Sequence, residues 1–591
     1  YHARLMVSSG RVLLVQRQLD VARLARLDPR AGSGQNFGLN LTTLPSQGIE
    51  AVVALSRLLG PRRVRLPIWR RQGPTRHVGS DQPLARLLRA LIAAQMELVA
   101  TLAEPPAPAG RPRPTNAQPS LLDLFSDQPQ RWQPHLALLV ARYADVIDYW
   151  QIGQDHDDYL VWDPRLPTVL QQVRTEVAKL VTSPSLVSAW SATHLLPASS
   201  LDVPYLSLYV PSAVAPQQIP AQLEPFRGRG RRLWVSLELL DPRQYHRLSR
   251  LADLAKRLVL ARVGGAETVF IDQPWRWTVR SGKADLEPTE PFLVFRTLAA
   301  LLGGSQPAGQ IYLDRHVRCY IFDHGSDSTL VVWDEREGSA PRQYRLYLGP
   351  QARLVDLWGR SRPLARCDDG RQLLPVTALP VLIDRVESWI ARLRASLSIT
   401  PKTIESSYRL HPAQLRFTNH RQESISGRVE LLAPDRWQVR PSQMRFALRP
   451  GQTLQRDLTI RFPYSELAGP KLLRARLLID ADRTYELFVS IPLELRLPDI
   501  DVQTIAQVAD GRLIVRQRIT NLGTDIVNFR AALIAPGRPP QRRPVSALGP
   551  GQSAVKLYVF GNAPELMGTS IRASLEEVGG PRIFNQLIHI R

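Results

Sequence analysis

Two acidic side chains of this sequence stand directly after apolar segments, a position that suits catalysis. Asp155 follows the apolar residues of segment 146–152 and a glycine, and Glu238 follows segment 233–237. The loops that leave the carboxyl ends of parallel strands converge on one crevice, so acids placed after such strands are expected to meet there. Two carboxyl groups that flank a glycosidic bond can hydrolyse it, one as acid/base and the other as nucleophile or as activator of water.

A repeated order of strand, loop and helix surrounds these acids. Apolar segments predict eight strands, at 37–41, 63–69, 98–102, 146–154, 186–191, 205–210, 233–237 and 268–271. Helical spacing of apolar residues predicts helices at 49–59, 82–95, 134–144, 168–181, 245–262 and 291–302. This order fits one (β/α)8 barrel, the TIM barrel, at residues 34–305. An open doubly wound sheet is the alternative, but it needs a glycine-rich phosphate loop after an early strand, and the sequence has none there.

Three short segments carry a family resemblance. The segment 149–155, Tyr-Trp-Gln-Ile-Gly-Gln-Asp, resembles the W-x-x-G-N-E spelling of the clan A glycoside hydrolases, the retaining barrel enzymes that include families 5 and 39. The segment 233–238 resembles their W-V-T-E spelling, with Leu237 as one extra residue. The segment 64–67, Val-Arg-Leu-Pro, resembles the V-R-I-P of family 5.

The resemblance implies a role for each matching residue. Glu238 becomes the nucleophile and Asp155 the acid/base, while Arg65 lies against Glu238, where a neighbouring cation would lower the pKa of the carboxyl group. Gln154 takes the position of the family's asparagine, which reaches the sugar 2-hydroxyl. The resemblance also implies that Tyr209 hydrogen-bonds Glu238 and that Trp275 forms an aromatic floor for the substrate. Trp69 and Trp190 either offer further stacking surfaces for the substrate or belong to the core.

Asp155 stands where the family has a glutamate, and several outcomes stay open. Its side chain is one methylene shorter, which widens the gap between the carboxyl groups toward the separation of inverting enzymes. Either the backbone compensates for the shorter side chain, or the stereochemistry of the hydrolysis changes, or catalysis is lost. His156 or Asp157 is the alternative proton donor, and Asp157 and Asp158 equally suit a helix start or a calcium site.

Beyond residue 305 the sequence alternates as β-structure. A companion β-sandwich is expected at 306–398 and two immunoglobulin-like sandwiches at 399–497 and 498–591, while residues 1–33 read as N-terminal strands and linker. An internal repeat supports the last two domains, because Ala-Leu-Arg-Pro-Gly-Gln at 447–452 recurs as Ala-Leu-Gly-Pro-Gly-Gln at 547–552. Neither copy shows an obvious aromatic platform for sugar, which favours a structural role.

The composition of the chain limits the classes of partner that we expect it to bind. The 591 residues have a formal net charge of +23, but the basic residues are scattered, so specific nucleic-acid binding is not expected and adhesion to anionic polymers stays open. No apolar run reaches the roughly 18 residues of a membrane span. The chain begins without an export signal, and we expect a mature or cut form with an extracytoplasmic location. Cys319 and Cys367 could form one bridge, and no cofactor or metal motif is found.

The sequence therefore predicts a protein that cleaves a glycosidic bond in an oligo- or polysaccharide. The alternative is a catalytically degenerate barrel that binds glycan or acts as a structural protein of the cell surface. The change from Asn-Glu to Gln154-Asp155 supports this alternative. A third hypothesis, a basic protein that adheres to an anionic polymer, predicts binding that falls steeply with ionic strength.

Overall fold

A computed structural model describes residues 2–9, 12–20, 24–27, 32–42, 48–69, 82–102, 122, 125, 129–155, 163–181, 184–195, 203–228, 230–280, 283–336, 338 and 340–590. The chain opens with a hairpin of β1 (His2–Ser9) and β2 (Val12–Asp20). None of the helices in the described ranges is both long enough and apolar enough to span a membrane.

Eight parallel strands close into a barrel in chain order. They are β3 (Phe37–Asn40), β4 (Arg63–Trp69), β5 (Glu97–Leu102), β6 (Tyr149–Ile152), β7 (Ser185–Ser191), β8 (Tyr205–Val210), β9 (Arg232–Leu237) and β10 (Thr268–Asp272). The last strand pairs with the first, since Val269 lies beside Phe37. Each predicted strand of the barrel is confirmed, because long apolar segments between turn residues are a strong signal for buried parallel strands.

Helices cover the outside of the barrel. They are α1 (Ile49–Leu59), α2 (Gln82–Ala93), α3 (Pro129–Tyr143), α4 (Leu166–Ala178), α5 (Ile219–Leu223), α6 (Arg247–Val263) and α7 (Pro291–Leu302). The short α5 was not predicted, because prolines at 216, 220 and 225 interrupt the apolar spacing around it. A hairpin of β11 (Trp275–Arg280) and β12 (Lys283–Pro288), which follows the last barrel strand, was not predicted either.

Aromatic side chains fill the lower interior of the barrel. Tyr149, Tyr205 and Trp234 meet with ring centroids 5.0 to 5.2 Å apart. The Arg63 guanidinium lies over two of these rings, 5.4 Å from Tyr149 and 5.3 Å from Trp234. Gly38 gives this layer its room, since a Cβ there would lie 2.3 Å from the Phe270 ring. The barrel interior is therefore packed at its base by aromatic rings.

The companion domain packs a six-stranded sheet against a two-stranded one. Its strands are β13 (Gln306–Gln310), β14 (Val317–Asp323), β15 (Asp327–Asp334), β16 (Arg342–Leu346), β17 (Arg353–Val355), β18 (Ser361–Pro363), β19 (Gln372–Val376) and β20 (Val381–Glu387), followed by α8 (Ser388–Ser396). Phe322, Val331 and Trp333 of this domain join the same apolar cluster as the barrel helices, so the two domains share a core. Cys319 and Cys367 are both free thiols.

Two β-sandwiches complete the chain. The first has β21 (Ser398–Thr400), β23 (His411–Thr418), β25 (Gln438–Arg440) and β27 (Thr453–Arg461) in one sheet. Its other sheet has β22 (Thr403–Glu405), β24 (Ile425–Leu432), β26 (Gln443–Leu448), β28 (Gly469–Asp480) and β29 (Thr484–Arg496). The second sandwich has β30 (Ile500–Ala509), β31 (Arg512–Asn521) and β34 (Ser553–Phe560) against β32 (Val527–Ile534), β33 (Gln541–Leu548), β35 (Ser570–Glu577) and β36 (Ile583–His589), with α9 (Ala563–Leu566) between β34 and β35. The predicted fold class, a (β/α)8 barrel followed by β-sandwich domains, is confirmed.

The sequence repeat has a structural cause. Asn419 in the first sandwich and Asn521 in the second are fully buried at equivalent turns. The Asn419 side-chain amide donates to the Leu448 carbonyl at 3.2 Å, and the Asn521 amide donates to the Leu548 carbonyl at 2.9 Å. Their own carbonyls accept from Gly451 and Gly551, which lie in the repeated segment. A buried asparagine thus holds the same turn in both domains.

Candidate functional site

Arg65 lies at the centre of a polar layer in the upper barrel. It is on β4, two residues beyond Arg63, and alternation along the strand points both side chains inward. Its side chain is only 5% exposed. The guanidinium carbon lies 4.1 Å from the centroid of the Phe270 ring. Burial lowers the pKa of Arg65 from its ordinary value, while the carboxylates of Asp155 and Asp272 act in the opposite direction.

Two serines connect Arg65 to Asp155. Arg65 Nη2 donates to Ser207 Oγ, and Arg65 Nη1 donates to Ser236 Oγ, each at 3.0 Å. Ser207 Oγ then donates to Asp155 Oδ1 at 3.0 Å, and Ser236 Oγ donates to Asp155 Oδ2. Arg65 also forms a direct ion pair with Asp155 Oδ2. The fourth donor is Gln151, whose Nε2 lies 3.0 Å from Asp155 Oδ1.

Each Asp155 oxygen therefore accepts two hydrogen bonds. The side chain is 7% exposed, so these bonds are formed largely away from water. An aspartate that acts as general acid must carry a proton and direct it at the leaving-group oxygen. Each of the four donors occupies one of the acceptor positions that the Asp155 carboxylate offers. The arrangement suits a carboxylate that organises the barrel interior.

A cavity of about 110 Å³ opens beside this network at the carboxyl ends of the strands. Asp155, Gln154 and Arg65 line it, together with Asp272 from the end of β10 and Asn40 from the end of β3. Asn40 Nδ2 donates to Asp272 Oδ1 at 3.1 Å. The second carboxylate of the cavity is thus Asp272, which sequence reasoning did not select.

Three buried polar atoms around the cavity have no hydrogen-bond partner within the described part of the chain. They are Asn40 Oδ1, Arg65 Nε and Gln151 Oε1. Buried polar atoms are normally satisfied, so each of the three has capacity for a ligand or for water. Two are acceptors and one is a donor, a mixture that suits a molecule rich in hydroxyl groups.

Glu238 lies at the rim, one residue beyond the end of β9. Its Oε2 accepts from the backbone N–H of Ser212 at 2.6 Å. Ser212 belongs to the loop after β8, and the buried Arg257 donates to three carbonyls of that loop, those of Pro211, Ser212 and Val214. Glu238 therefore helps to hold a loop, and among the described residues that line the 110 Å³ cavity it does not appear. Sequence reasoning placed Arg65 against Glu238, whereas the structure pairs Arg65 with Asp155.

The other sequence-selected residues are dispersed around the barrel. Gln154 is exposed and lines the cavity. Tyr209 is half-buried beside Ser236 in the β8–β9 ladder. Trp275 is 4% exposed and packs in the core that the barrel helices share, which is a correction to the accessible floor expected of it.

Five further selections fall outside this polar layer or outside the described residues. Trp190 is also a core residue, 2% exposed. The side chain of Trp69 lies outside the described part of the chain, as do His156, Asp157 and Asp158.

The partners of Asp155 that were missed are Gln151, Ser207 and Ser236. Each is a polar residue at an inward position of an otherwise apolar strand, and all three are buried. The signal that was available is this break in the apolar pattern, since a polar residue inside a buried strand needs a partner. Within the described ranges, no group of three His, Cys, Asp or Glu side chains is placed to hold a metal ion.

No protein-family model and no curated protein matches the chain. Solved structures with a similar chain course include a family 39 glycoside hydrolase from Bacteroides cellulosilyticus, at 15% identity and a TM-score of 0.49 over 65% of this chain and 87% of that one. A family 30 endoxylanase from Clostridium papyrosolvens is similar at 13% identity and a TM-score of 0.45, over 61% and 98% of the two chains. An α-L-fucosidase from Bacteroides thetaiotaomicron is similar at 11% and 0.37, over 60% and 82%.

Similarities at this level carry no argument about chemistry. The closed barrel of eight parallel strands followed by β-sandwiches is the fold class that the sequence predicted, and it is seen in the strand order of this chain itself. The chemistry has to be argued from the side chains.

Proposed function

We propose that the barrel binds carbohydrate at the carboxyl end of its strands and does not hydrolyse it through Asp155. The observation that carries this proposal is the saturation of Asp155, whose two oxygens accept from Arg65, Ser207, Ser236 and Gln151. To act as the proton donor, Asp155 would have to break at least one of these hydrogen bonds at every turnover. The degenerate barrel, the alternative in the sequence argument, fits this geometry better than the hydrolase does.

The chemistry of the cavity supports a sugar ligand. Its lining combines the carboxylate of Asp272 with the amides of Asn40 and Gln154 and the Arg65 guanidinium. Sugar hydroxyl groups both donate and accept, so they match a lining that offers donors and acceptors in fixed positions. The unpartnered atoms Asn40 Oδ1 and Arg65 Nε would then find partners on the ligand.

The proposal is tested by separating binding from cleavage. Purified chain is screened against immobilised neutral and acidic oligosaccharides, and every ligand that binds is incubated with the chain and assayed for new reducing ends. We expect binding without cleavage, and weaker binding for Gln154→Ala, which removes an exposed amide from the cavity. Gln171→Ala, which removes an exposed glutamine from α4, serves as the matched control. Binding that is unchanged by Gln154→Ala, or release of reducing ends by the wild type, contradicts the proposal.

A glycosidase that uses Glu238 and Asp155 is the second candidate. It is favoured by one observation: Glu238 comes only two residues after Ser236, which contacts Asp155 from the end of β9. Activated 2,4-dinitrophenyl glycosides test it, because their leaving group needs no acid. Release of dinitrophenol by the wild type that is lost in Glu238→Gln would establish this candidate over the binding barrel.

The proposed ligand class also bears on location. The polysaccharides of cell walls and of the surroundings of cells lie outside the cytoplasmic membrane, and for a ligand of that kind we propose an extracytoplasmic site of action. Fractionation of cells that express the natural gene, followed by immunodetection, tests this. Recovery of the chain in the cytoplasm alone would contradict it.

A further inference from the structure

The junction of the two immunoglobulin-like sandwiches forms a groove with a volume of about 510 Å³. Tyr408, Arg436, Arg461 and Tyr464 come from the first sandwich, and Glu576 comes from β35 of the second. The groove belongs to neither domain alone. It lies in the β-sandwich part of the chain, and none of the residues that line it lines the barrel cavity.

Two tyrosine rings are open to solvent in this groove. Tyr408 is 43% exposed and Tyr464 is 48% exposed. Their ring centroids lie 6.2 Å apart, and the ring planes are inclined by 44°. Exposed neighbouring aromatic rings lose contact with water only when a partner covers them, and their negative faces attract weakly positive C–H groups. The faces of sugar rings present such C–H groups.

Two arginines give the groove a positive charge. Arg436 and Arg461 are exposed, and neither forms an ion pair with any carboxylate of the described residues. Glu576, the one acidic group among the described lining residues, has a cation of its own, since Arg530 Nη1 lies 3.7 Å from its Oε2. Two guanidinium groups are therefore available to an anion, and an arginine fork pairs well with a carboxylate.

Hydrogen bonds across the domain junction hold the groove in place. Asn585 of the second sandwich is fully buried, and its side-chain amide donates to the carbonyls of Tyr464 at 3.0 Å and Glu466 at 3.1 Å. Tyr408 N–H donates to the Pro581 carbonyl at 3.3 Å. Both tyrosines are thus attached through their backbones to the second sandwich. A site that is already formed loses little conformational entropy when it binds a ligand.

We propose that this groove binds an acidic oligosaccharide, a chain of uronic acid residues. The sugar faces stack on Tyr408 and Tyr464, and a ring carboxylate pairs with Arg436 or Arg461. Glu576 favours sugar over a nucleic-acid backbone, because sugar hydroxyl groups can donate to its carboxylate and phosphodiester groups have no donor to offer it. The site is independent of the barrel cavity.

Calorimetric titration of the full chain with tetragalacturonate tests the proposal. The fully methyl-esterified tetramer has the same sugar scaffold without the charges, and a short oligothymidylate supplies charges without the sugar scaffold. We expect binding of tetragalacturonate that is weaker for Arg436→Gln and Arg461→Gln by about fivefold each, as for a partly exposed ion pair. Tyr464→Ala should weaken it further. Tyr245→Ala and Arg516→Gln, at exposed positions in the barrel and the last sandwich, are the matched controls.

Each result of these titrations either supports the proposed groove site or overturns it. Loss of affinity in the groove variants but not in the controls, with melting temperatures unchanged, supports the proposal. Equal binding of the methyl-esterified tetramer, equal binding of oligothymidylate, or wild-type affinity in both arginine variants overturns it. Gln154→Ala should leave this affinity unchanged, so a failure of the barrel proposal is distinguishable from a failure here.

Discussion

Removal of one partner from the Arg65–Asp155 pair should destabilise the barrel severely. Arg65→Met leaves the Asp155 carboxylate with only neutral donors. Asp155→Asn leaves the charge of Arg65 buried with a neutral amide in place of the carboxylate. The two side chains are 5% and 7% exposed, so water offers little compensation. Breaking a buried ion pair by removing one partner costs about 3 to 5 kcal/mol, most of it from the charge left behind.

The double variant separates this explanation from simple loss of contacts. When both charges are removed together, no buried charge is left, so Arg65→Met with Asp155→Asn should lose no more than the worse single variant. For a domain of this size, about 3 to 5 kcal/mol corresponds to a fall of about 6 to 20 °C in the melting temperature. Because the chain has several domains, the unfolding of the barrel has to be followed specifically.

Hydrogen exchange with mass spectrometry during thermal unfolding provides that readout, through peptides that cover β4 and β9. Arg62→Met is the control, because Arg62 pairs with Glu97 at the surface, with 45% and 25% of the two side chains exposed. It should cost less than about 1 kcal/mol. Single variants of Arg65 and Asp155 that behave like this control, or a double variant with additive losses, would refute the reasoning.

Three further predictions concern the interior of the barrel and the β-domains. Gly38→Ala should destabilise the barrel by about 1 to 3 kcal/mol, because the added Cβ would overlap the Phe270 ring, as thermal unfolding would show. Burial raises the pKa of Cys319 to about 12, so at pH 8 a thiol reagent should label Cys367 and reach Cys319 only after unfolding. Burial lowers the pKa of His411 below 6.5. The contribution of His411 to the free energy of unfolding is therefore complete above pH 6.5 and falls as the pH drops from 6.5 to the pKa of the folded state. Denaturant titrations at several pH values should find this slope missing in His411→Phe.

Each of these predictions has an internal control or a contrary result. Gly561→Ala adds a methyl group where no atom lies within 4 Å, so it should cost little, and an equal loss there would contradict the overlap argument. Rapid labelling of both thiols in the folded chain would contradict the burial of Cys319. A stability profile that is unchanged in His411→Phe would show that other groups set the pH dependence.

The sequence predicts the barrel well because its strands are apolar segments of distinctive length. The registers that bring Arg65, Ser207 and Ser236 to one level are not visible in the sequence. Ser207 and Ser236 are isolated polar residues in the apolar segments 205–210 and 233–237, and only closure of the barrel places them within reach of Asp155. A buried cation on β4 could be predicted, but its partner could not, because the choice between Asp155 and Glu238 depends on where the chain turns after β6 and β9.

In the β-domains, too, one part of the structure could be predicted from the sequence and another part could not. Alternation and the repeated turn predict two sandwiches, and the buried asparagines Asn419 and Asn521 explain the repeat. The exposed pair Tyr408 and Tyr464 was not recognised as an aromatic platform. The two residues are 56 positions apart in the sequence, and contacts across the domain junction bring their rings together.

The most direct test of the central claim is a high-resolution crystal structure of the chain soaked with an oligosaccharide that it binds. We predict an intact ligand in the cavity of Asn40, Gln154 and Asp272, with both oxygens of Asp155 still bound to Arg65 and the two serines. A glycosidic oxygen within hydrogen-bond distance of Asp155, with Glu238 beneath the anomeric carbon or joined to it, would contradict the proposed binding role and establish a hydrolase.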